Sequence, residues 1–371
     1  MAITRAFKNA VQQEQQIKPI VINGSMDIAQ RGTSATGITA DGLRTCDRWR
    51  TNIDSYGTYT LSQSTTVPTG EGFTNSFKID CTTADASPGS GDLFTFEQRF
   101  EGQEVQMFKK GTSSAERYTV AFWIRSNLTG NFALNLVDSD NSRRVGSLVN
   151  IAQADTWEKK VISFPKDTTG AFDDDNADSF RIQFFLGVGS NFTSGTLPTS
   201  AWESATTANF AAGQSAFIGS NTDNELFITG LQLEMGTYDS ETIPEFQFES
   251  HIDNLRRCQR YFHIGVGLDG NTTGFANGSF RTNATAQILH QFPVSMRTEP
   301  TATQIATDNI IAHDTADGNN INVDSIQSIL FNCENNIVVQ YTLEGTSAAA
   351  GDGCYVYPTG STPGIKFEAE L

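Results

Sequence analysis

The sequence has little of what most catalytic and metal-binding sites require. Its 371 residues include four histidines and five cysteines, with no Cys-x-x-Cys pair and no repeating cysteine spacing. Neither a zinc knuckle nor a disulfide framework is therefore indicated. The Gly-x-Ser-x-Gly, His-Glu-x-x-His and phosphate-loop motifs are absent as well. The scattered histidines are interpreted as surface or interface residues. We expect free thiols, as in a protein assembled in a reducing cytoplasm, at Cys46, Cys81, Cys258, Cys333 and Cys354.

Positive charge is also scarce. Lys and Arg number 25 against 42 Asp and Glu, which gives a net charge of −17. A protein that binds a phosphate backbone needs a basic face, so we expect no nucleic-acid partner. No apolar run reaches the length of a membrane span, and none follows Arg5 and Lys8 as in a secretory signal. We expect no membrane partner either.

Phenylalanine and short alternating runs are what the sequence has instead. It contains 26 Phe and 32 Gly, a composition typical of β-sandwiches. The clearest strand is 116–126, where apolar residues from Tyr118 to Ile124 alternate with Trp123 and Arg125. Turn residues separate such runs at intervals of about 8–12 residues. We predict further strands at 56–63, 73–80, 93–100, 132–138, 145–151, 157–164, 180–188, 226–235, 259–267, 273–280, 284–292, 326–332, 336–343, 353–357 and 364–371.

The length of the chain exceeds that at which a single core usually stops growing, so two domains are expected. We predict an all-β fold class, with a jelly-roll β-sandwich over residues 18–247 and a second small β-sandwich over 259–371. A short interdomain helix over 248–258 joins them, because Ser250 precedes Asp253 at capping-box spacing.

Residues 1–17 differ from the rest of the chain and predict a short N-terminal helical arm. Ile3, Phe7, Ala10 and Val11 belong to an apolar stripe at helical spacing. So short a helix is marginal in isolation. We expect it to dock on its own domain, on sister subunits around a symmetry axis or on a larger particle; the alternative is a frayed terminus.

Six segments carry a pattern that goes beyond secondary structure. They are INGSMDIAQRGTS (22–34), DRW (47–49), GLQLEMG (230–236), LRRCQRYF (255–262), FPVSMRTEPTAT (292–303) and KFEAEL (366–371). Together these six patterned segments resemble a family of bacteriophage virion proteins, in which a carbohydrate-binding-module-like jelly roll precedes a smaller C-terminal β-domain. They span most of the chain and indicate the type of protein rather than its position in the particle.

The resemblance implies a non-enzymatic structural protein on the outer surface of the virion, assembled in the host cytoplasm. Two roles stay open. One is a tail fibre or tail-tip component that contacts host cell-surface polysaccharide; the other is a capsid decoration or tail-collar protein with a purely structural role and no ligand. The resemblance also implies a homotrimer, with residues 1–17 as the contact to sister subunits or to other virion proteins.

A sugar site requires an aromatic platform with hydrogen-bonding side chains around it, because pyranose rings present CH faces and hydroxyl edges. The grouping that we predict assumes that the strands at 132–138 and 180–188 share a sheet with 116–126, and that the loop at 189–213 caps the groove. The alternative is that Trp123 is a core residue. The candidate glycan-binding residues are Trp123, Arg125, Asn135, Gln183, Phe185 and Trp202.

Acidic residues suggest two further kinds of site. The stretches 138–142 and 173–179 carry hard oxygen ligands that suit a structural calcium ion; the alternative is a pair of solvated turns. A glycosidase would need two carboxyl groups across a cleft, but among 42 acidic residues a candidate pair means little. We therefore predict no catalytic residue and no other cofactor. The carboxylates considered for such a pair are Asp138, Asp140, Glu225 and Glu234.

Overall fold

The computed structural model describes residues 18–265, 275–305, 310–345, 347–358 and 364–371, and it confirms the all-β fold class. Two short helices lie among the described strands, α1 (Gly102–Val105) and α2 (His251–Gln259), and neither has the length and apolarity needed to cross a bilayer. The arm predicted for residues 1–17 lies outside the described residues.

The strands before α2 are β1 (Ser34–Ile38), β2 (Gly42–Leu43), β3 (Arg50–Asp54), β4 (Thr58–Ser64), β5 (Ser76–Thr83), β6 (Leu93–Glu101), β7 (Tyr118–Ser126), β8 (Gly130–Asp138), β9 (Arg143–Ile151), β10 (Glu158–Phe164), β11 (Asp178–Val188), β12 (Glu203–Ser204) and β13 (Glu225–Met235). The strands after α2 are β14 (Phe262–Gly265), β15 (Ala276–Thr282), β16 (Thr285–Gln291), β17 (Thr301–Gln304), β18 (Ile310–Asp314), β19 (Asn320–Asn332), β20 (Asn336–Leu343), β21 (Gly353–Pro358) and β22 (Ile365–Glu368).

Strands β1–β13 form two antiparallel sheets with a shared core. Sheet A has the order β1-β4-β5-β13-β7-β10, and sheet B has the order β12-β9-β8-β11-β6-β3-β2. Consecutive strands such as β7 and β8 lie in opposite sheets, as in a jelly roll. Phe122 of sheet A meets Phe184 of sheet B edge-on, with ring centres 5.0 Å apart, and Trp49 stacks on Phe96 at 4.8 Å. These contacts fill the space between the sheets with aromatic rings.

Strand β7 shows how the sequence determines this packing. Tyr118, Phe122 and Ile124 are buried in the core, whereas Trp123 and Arg125 point to the outer face of sheet A and are half-buried. The alternation predicted for this strand is therefore confirmed. Because successive side chains of a strand point to opposite faces, the apolar run on one side sets the direction of Trp123.

The C-terminal strands close into a barrel, where the sequence predicted a small sandwich. The order is β15-β16-β20-β19-β18-β21, and β21 pairs with β15 to complete the ring. A three-stranded sheet, β14-β22-β17, shares its core through Phe367. Closure depends on the pairing of strands that are distant in sequence, and alternation within a strand carries no signal of it.

Helix α2 connects the sandwich to these strands. Its N-cap is Ser250, whose hydroxyl accepts the Asp253 backbone N–H at 3.2 Å, so the predicted cap is confirmed although the helix begins later than residue 248. Arg257 in its last turn donates to Glu249 at 2.7 Å and to the Pro19 carbonyl at 2.7 Å. The division of the chain at residues 247 and 259 stays a prediction.

Residues of the six patterned segments converge at this joint. Arg31 and Arg48 both form ion pairs with Glu370 in the last segment. The guanidinium carbon of Arg48 lies 3.4 Å from the centre of the Tyr261 ring, and that of Arg31 lies 3.6 Å from the centre of the Phe262 ring. Segments from both ends of the sequence are thus held together by stacked, charge-paired side chains.

The two remaining patterned segments join the same interface. The backbone N–H of Leu231 donates to the Gly24 carbonyl at 3.0 Å, and Arg297 donates to the Ala369 carbonyl at 2.7 Å. A Cβ on Gly24 would lie 2.1 Å from the Leu231 carbonyl oxygen, so only glycine fits there. Residues of the segments that carry the family resemblance therefore contact one another at a structural joint.

Candidate functional site

The six predicted site residues do not share one face. Strands β8 and β11 pair with each other in sheet B, whereas β7 pairs with β13 and β10 in sheet A. The assumption that these strands share a sheet is therefore wrong. The reason is that alternation tells which face a side chain occupies, but not which strand lies beside it. Trp123 and Arg125 lie on the outer face of sheet A; Asn135, Gln183 and Phe185 lie on the outer face of sheet B.

The loop at 189–213 covers the part of sheet B that carries these residues. Asn135 is fully buried, and its Nδ2 donates to the Phe210 carbonyl of the loop at 2.8 Å. Phe185 is 1% exposed and meets the Phe210 ring at 6.1 Å. Gln183 donates to Glu97 and accepts from Arg144 at 2.8 Å. The polar side chains of Asn135 and Gln183 are thus bonded within the protein beneath the loop, and a sugar ring has no access to them or to Phe185.

Arg144 completes the cover over sheet B. Its guanidinium carbon lies 3.7 Å from the centre of the Phe210 ring. Burial, with a contribution from Arg181, lowers the pKa of Arg144 to about 10. The residue stays protonated at neutral pH and acts as a half-buried cation between the loop and Gln183.

Trp202 does not cap a groove. It is 5% exposed, its ring meets Tyr118 edge-on at 6.0 Å in the sandwich core, and its Nε1 donates to the Pro165 carbonyl at 2.8 Å. Lys110, a fully buried ammonium beside it, pairs with Asp138. Asp138 belongs to the first acidic stretch that was considered for calcium, and that carboxylate already has a cationic partner.

The carboxylates considered for glycosidase chemistry are also separated. Glu225 and Glu234 both lie on β13, nine positions apart. At the rise of an extended strand this is about 30 Å, far more than the roughly 5–10 Å that glycoside hydrolysis needs. Burial raises the pKa of Glu234, and Glu225 is ion-paired with Lys78 at 2.9 Å. The carboxylate of Asp80 lies directly opposite Glu225 on β5, and Lys78 pairs with both, so the two carboxylates share one cation.

The outer face of sheet A offers a different arrangement. Trp123 has Lys159 of β10 as its neighbour on one side and Thr229 of β13 on the other. In the next row Arg125 lies opposite Phe227. The Phe227 ring lies under the Arg125 guanidinium, whose carbon is 5.0 Å from the ring centre. Aromatic and charged side chains therefore alternate across this face.

Trp157 belongs to the same face, and sequence analysis did not single it out. It directly precedes β10, two positions before Lys159, so it points to the same side. Its ring meets Phe227 edge-on at 6.2 Å, and like Trp123 it is half-buried. The alternation of residues 157–164 already places Trp157 and Lys159 on one side of the chain. Only the pairing of β10 with β7 shows that Trp123 lies on that same side. Phe227 is itself buried, with 3% of its surface exposed, so the accessible rings are the two indoles. We call Trp123 and Trp157, together with the Phe227 ring packed against Trp157, the aromatic face.

Charged groups form the border of the aromatic face. Arg125 pairs with Asp155 at 2.9 Å and with Glu225 at 3.3 Å. Burial alone would lower the pKa of Lys78, but its hydrogen bonds to Glu225 and Asp80 hold it above the usual value. The face thus combines indole rings with fixed hydrogen-bond donors and acceptors, the combination required for holding a pyranose ring.

A groove of about 1060 Å³ lies elsewhere, between sheet B and the three-stranded sheet. Its lining includes Arg31, whose partners are Asp47, Glu368 and Glu370. The Phe262 ring in this groove lies beneath Arg31. The groove therefore lies at the joint, where Arg31 is already paired and covers the Phe262 ring.

No protein-family model and no curated protein matches the chain. Among solved structures, it is similar to a family 61 carbohydrate-binding module in complex with β-1,4-galactotriose, with 12% identity over 50% of this chain and 88% of that chain and a TM-score of 0.26. A family 11 carbohydrate-binding module of Clostridium thermocellum, in complex with a mixed-linked tetrasaccharide, has 10% identity over 56% of this chain and 98% of that chain, with a TM-score of 0.28. The CBM22-1 xylan-binding domain of Paenibacillus barcinonensis Xyn10C has 8% identity over 56% of this chain and 94% of that chain, with a TM-score of 0.25. At scores this low the likenesses carry no inference about ligand or activity.

Proposed function

We propose that this chain is a non-catalytic glycan-binding protein and that the aromatic face of sheet A is its binding surface. The observation that carries the proposal is the half-buried state of Trp123 and Trp157 on the outside of the sandwich. The corresponding ring on sheet B, Phe185, is sealed by the loop at 189–213. Indole rings left accessible beside fixed charges suit the CH faces and hydroxyl edges of a sugar.

We further propose that the chain is a structural component of a bacteriophage particle, a tail fibre or tail tip on its outer surface, assembled in the host cytoplasm. The support is the family resemblance of the six patterned segments. In the structure, residues of all six segments meet at one joint, so the resemblance rests on segments that are distant in sequence and close in space. The net charge of −17 suits a protein that must not adhere to nucleic acid or to anionic surfaces.

The alternative, a decoration or collar protein with no ligand, has one observation in its favour. Strand β19 exposes Ile329, Leu330 and Phe331, the last with 71% of its surface accessible. Contiguous exposed apolar side chains are typical of contact surfaces between proteins. In that role the sandwich would build the particle, and the aromatic face would be covered by a neighbouring subunit.

A binding screen distinguishes the two roles. The full-length chain is tested by affinity electrophoresis against a panel of bacterial surface polysaccharides, together with Trp157→Ala and with Arg181→Ala. Arg181 is a matched control, because it is half-buried on the outer face of sheet B and pairs with Asp178. The glycan role predicts retardation of the wild type and of R181A but not of W157A. Absence of binding to the whole panel would favour the structural role, and equal binding by W157A would show that the glycan binds elsewhere than on the aromatic face.

A further inference from the structure

Three carboxylates meet at one end of the C-terminal barrel, away from the aromatic face. Asp314 is the last residue of β18, Asp317 lies in the turn to β19, and Asp352 directly precedes β21. Strands β18 and β21 are neighbours, with Asp314 opposite Cys354. One carboxylate oxygen of each aspartate lies within 4.8 Å of those of the other two. Oxygens bound to a single calcium ion, each about 2.4 Å from it, are at most about 4.8 Å apart.

Asp314 shows that this cluster differs from an ordinary acidic turn. Its side chain is fully buried. Oδ1 accepts the Ala316 backbone N–H at 2.8 Å, but Oδ2 is buried with no donor among the described residues. A buried carboxylate oxygen without a partner is costly, and native structures satisfy such atoms with a donor or a cation.

The surroundings of the cluster supply no protein cation. Within the described ranges, no Lys, Arg or His forms an ion pair with Asp314, Asp317 or Asp352. This contrasts with Asp138 in the sandwich, which is equally buried and is paired with Lys110. Three like charges at this distance repel one another unless a counter-ion lies between them.

We propose that Asp314, Asp317 and Asp352 bind a calcium ion that ties the β18–β19 turn to the start of β21. The donor set is all oxygen, which suits a hard cation and not zinc. Asp317 is exposed, which leaves room for the water ligands that complete six to eight coordination. Two ligands on turns fit the adaptable geometry of calcium better than the rigid octahedron of magnesium.

The test is a calorimetric titration of CaCl2 into the EDTA-treated full-length chain, with thermal unfolding followed in parallel. We expect one calcium ion per chain, a higher unfolding temperature of the barrel in its presence, and weaker binding of MgCl2. Asp317→Asn removes one exposed ligand and is expected to weaken calcium binding by about tenfold or more without loss of the fold. Asp352→Asn gives a second, independent variant.

Asp174→Asn is the matched control, because it removes the same charge from the exposed acidic stretch at 173–179. It is expected to bind calcium like the wild type. The proposal is overturned if about 5 mM CaCl2, above the range of weak extracellular calcium modules, gives neither heat nor stabilisation. It is also overturned if D317N and D352N bind as tightly as the wild type, or if D174N is the variant that loses the ion.

Discussion

The guanidinium of Arg260 donates two hydrogen bonds to the fully buried carboxylate of Glu101, from Nε at 2.7 Å and from Nη2 at 2.6 Å. The two residues are 159 positions apart and lie on opposite sides of the joint. The Tyr261 hydroxyl donates to the same carboxylate at 2.5 Å. Burial alone would raise the pKa of Glu101, but these hydrogen bonds lower it below the usual value. Glu101 is therefore ionised at neutral pH, and the pair is a permanent part of the joint.

Replacing Arg260 by alanine is expected to destabilise the protein strongly. The substitution leaves the Glu101 charge buried without its cation, a change that typically costs about 3–5 kcal/mol. Lys109→Ala is the control, because Lys109 forms an exposed ion pair with Glu116 and such pairs contribute about 0–1 kcal/mol. Urea unfolding of both variants measures the difference. Equal, small losses of unfolding free energy in the two variants would show that the Arg260–Glu101 pair does not hold the joint.

Acid is expected to destabilise the C-terminal strands through His290. The histidines were expected at surfaces or interfaces, but His290 is 3% exposed in the barrel core, with Nε2 2.9 Å from the Tyr341 hydroxyl. Burial, and then His263, lower the pKa of His290 to about 3. The stabilisation by neutral His290 is complete above the unfolded pKa of about 6.5 and is lost as the pH falls towards 3. Between about pH 7.5 and pH 5 the unfolding free energy should fall by ~2 kcal/mol for this residue.

Two glutamine variants isolate this effect. His290→Gln should unfold with a shallower loss of stability on acidification, because the group that takes up the proton on unfolding is gone. His251→Gln, at an exposed position on α2, should keep the wild-type pH dependence. The assignment fails if H290Q and H251Q have the same pH dependence of the unfolding free energy.

Self-association is expected to depend on the exposed strand β19. We propose a homotrimer, so sedimentation of the full-length chain should give three times the chain mass of 40.4 kDa. Phe331→Ser removes the most exposed large apolar side chain among the described residues and should favour the monomer in the same sedimentation experiment. Met107→Ser changes an exposed apolar residue near α1 and should not affect assembly. A wild-type chain that is monomeric at micromolar concentration contradicts the trimer.

Residues 1–17 are proposed to attach the chain to other virion proteins. A chain that lacks them should keep the unfolding temperature of the full-length protein, because an arm that only docks contributes nothing to either core. The same truncation should abolish incorporation in a particle-complementation assay. Unfolding of the truncated chain would instead make residues 1–17 part of the sandwich core.

Local patterns predicted much of this fold. Strands β7, β8, β11 and β13 lie within two residues of their predicted bounds, because each has a strict apolar face between clear turn residues. The cap of α2 at Ser250 is equally local. Strand β17, with the sequence TATQ, was missed because it has no apolar alternation and is held mainly by its pairing with β22.

Features that depend on contacts between residues far apart in the sequence could not be predicted. The sheet to which Asn135, Gln183 and Phe185 belong is fixed by strand pairing, which alternation does not encode. The cluster of Asp314 with Asp352 likewise needs the pairing of β18 with β21. The placement of Trp123 outside the core, by contrast, followed from its own strand.

The most direct test of the account is a calorimetric titration of Trp123→Ala with the polysaccharide to which the wild type binds. Thermal unfolding is measured on the same samples. Met107→Ala is the control for removal of an exposed apolar side chain elsewhere. Loss of a stacking ring predicts a dissociation constant raised by about tenfold or more, roughly 1.4 kcal/mol, with an unchanged unfolding temperature. M107A should bind as the wild type does. Unchanged binding by W123A, or a fall of roughly 10 °C as for a buried Trp that contributes ~3–5 kcal/mol, would contradict a glycan platform on sheet A.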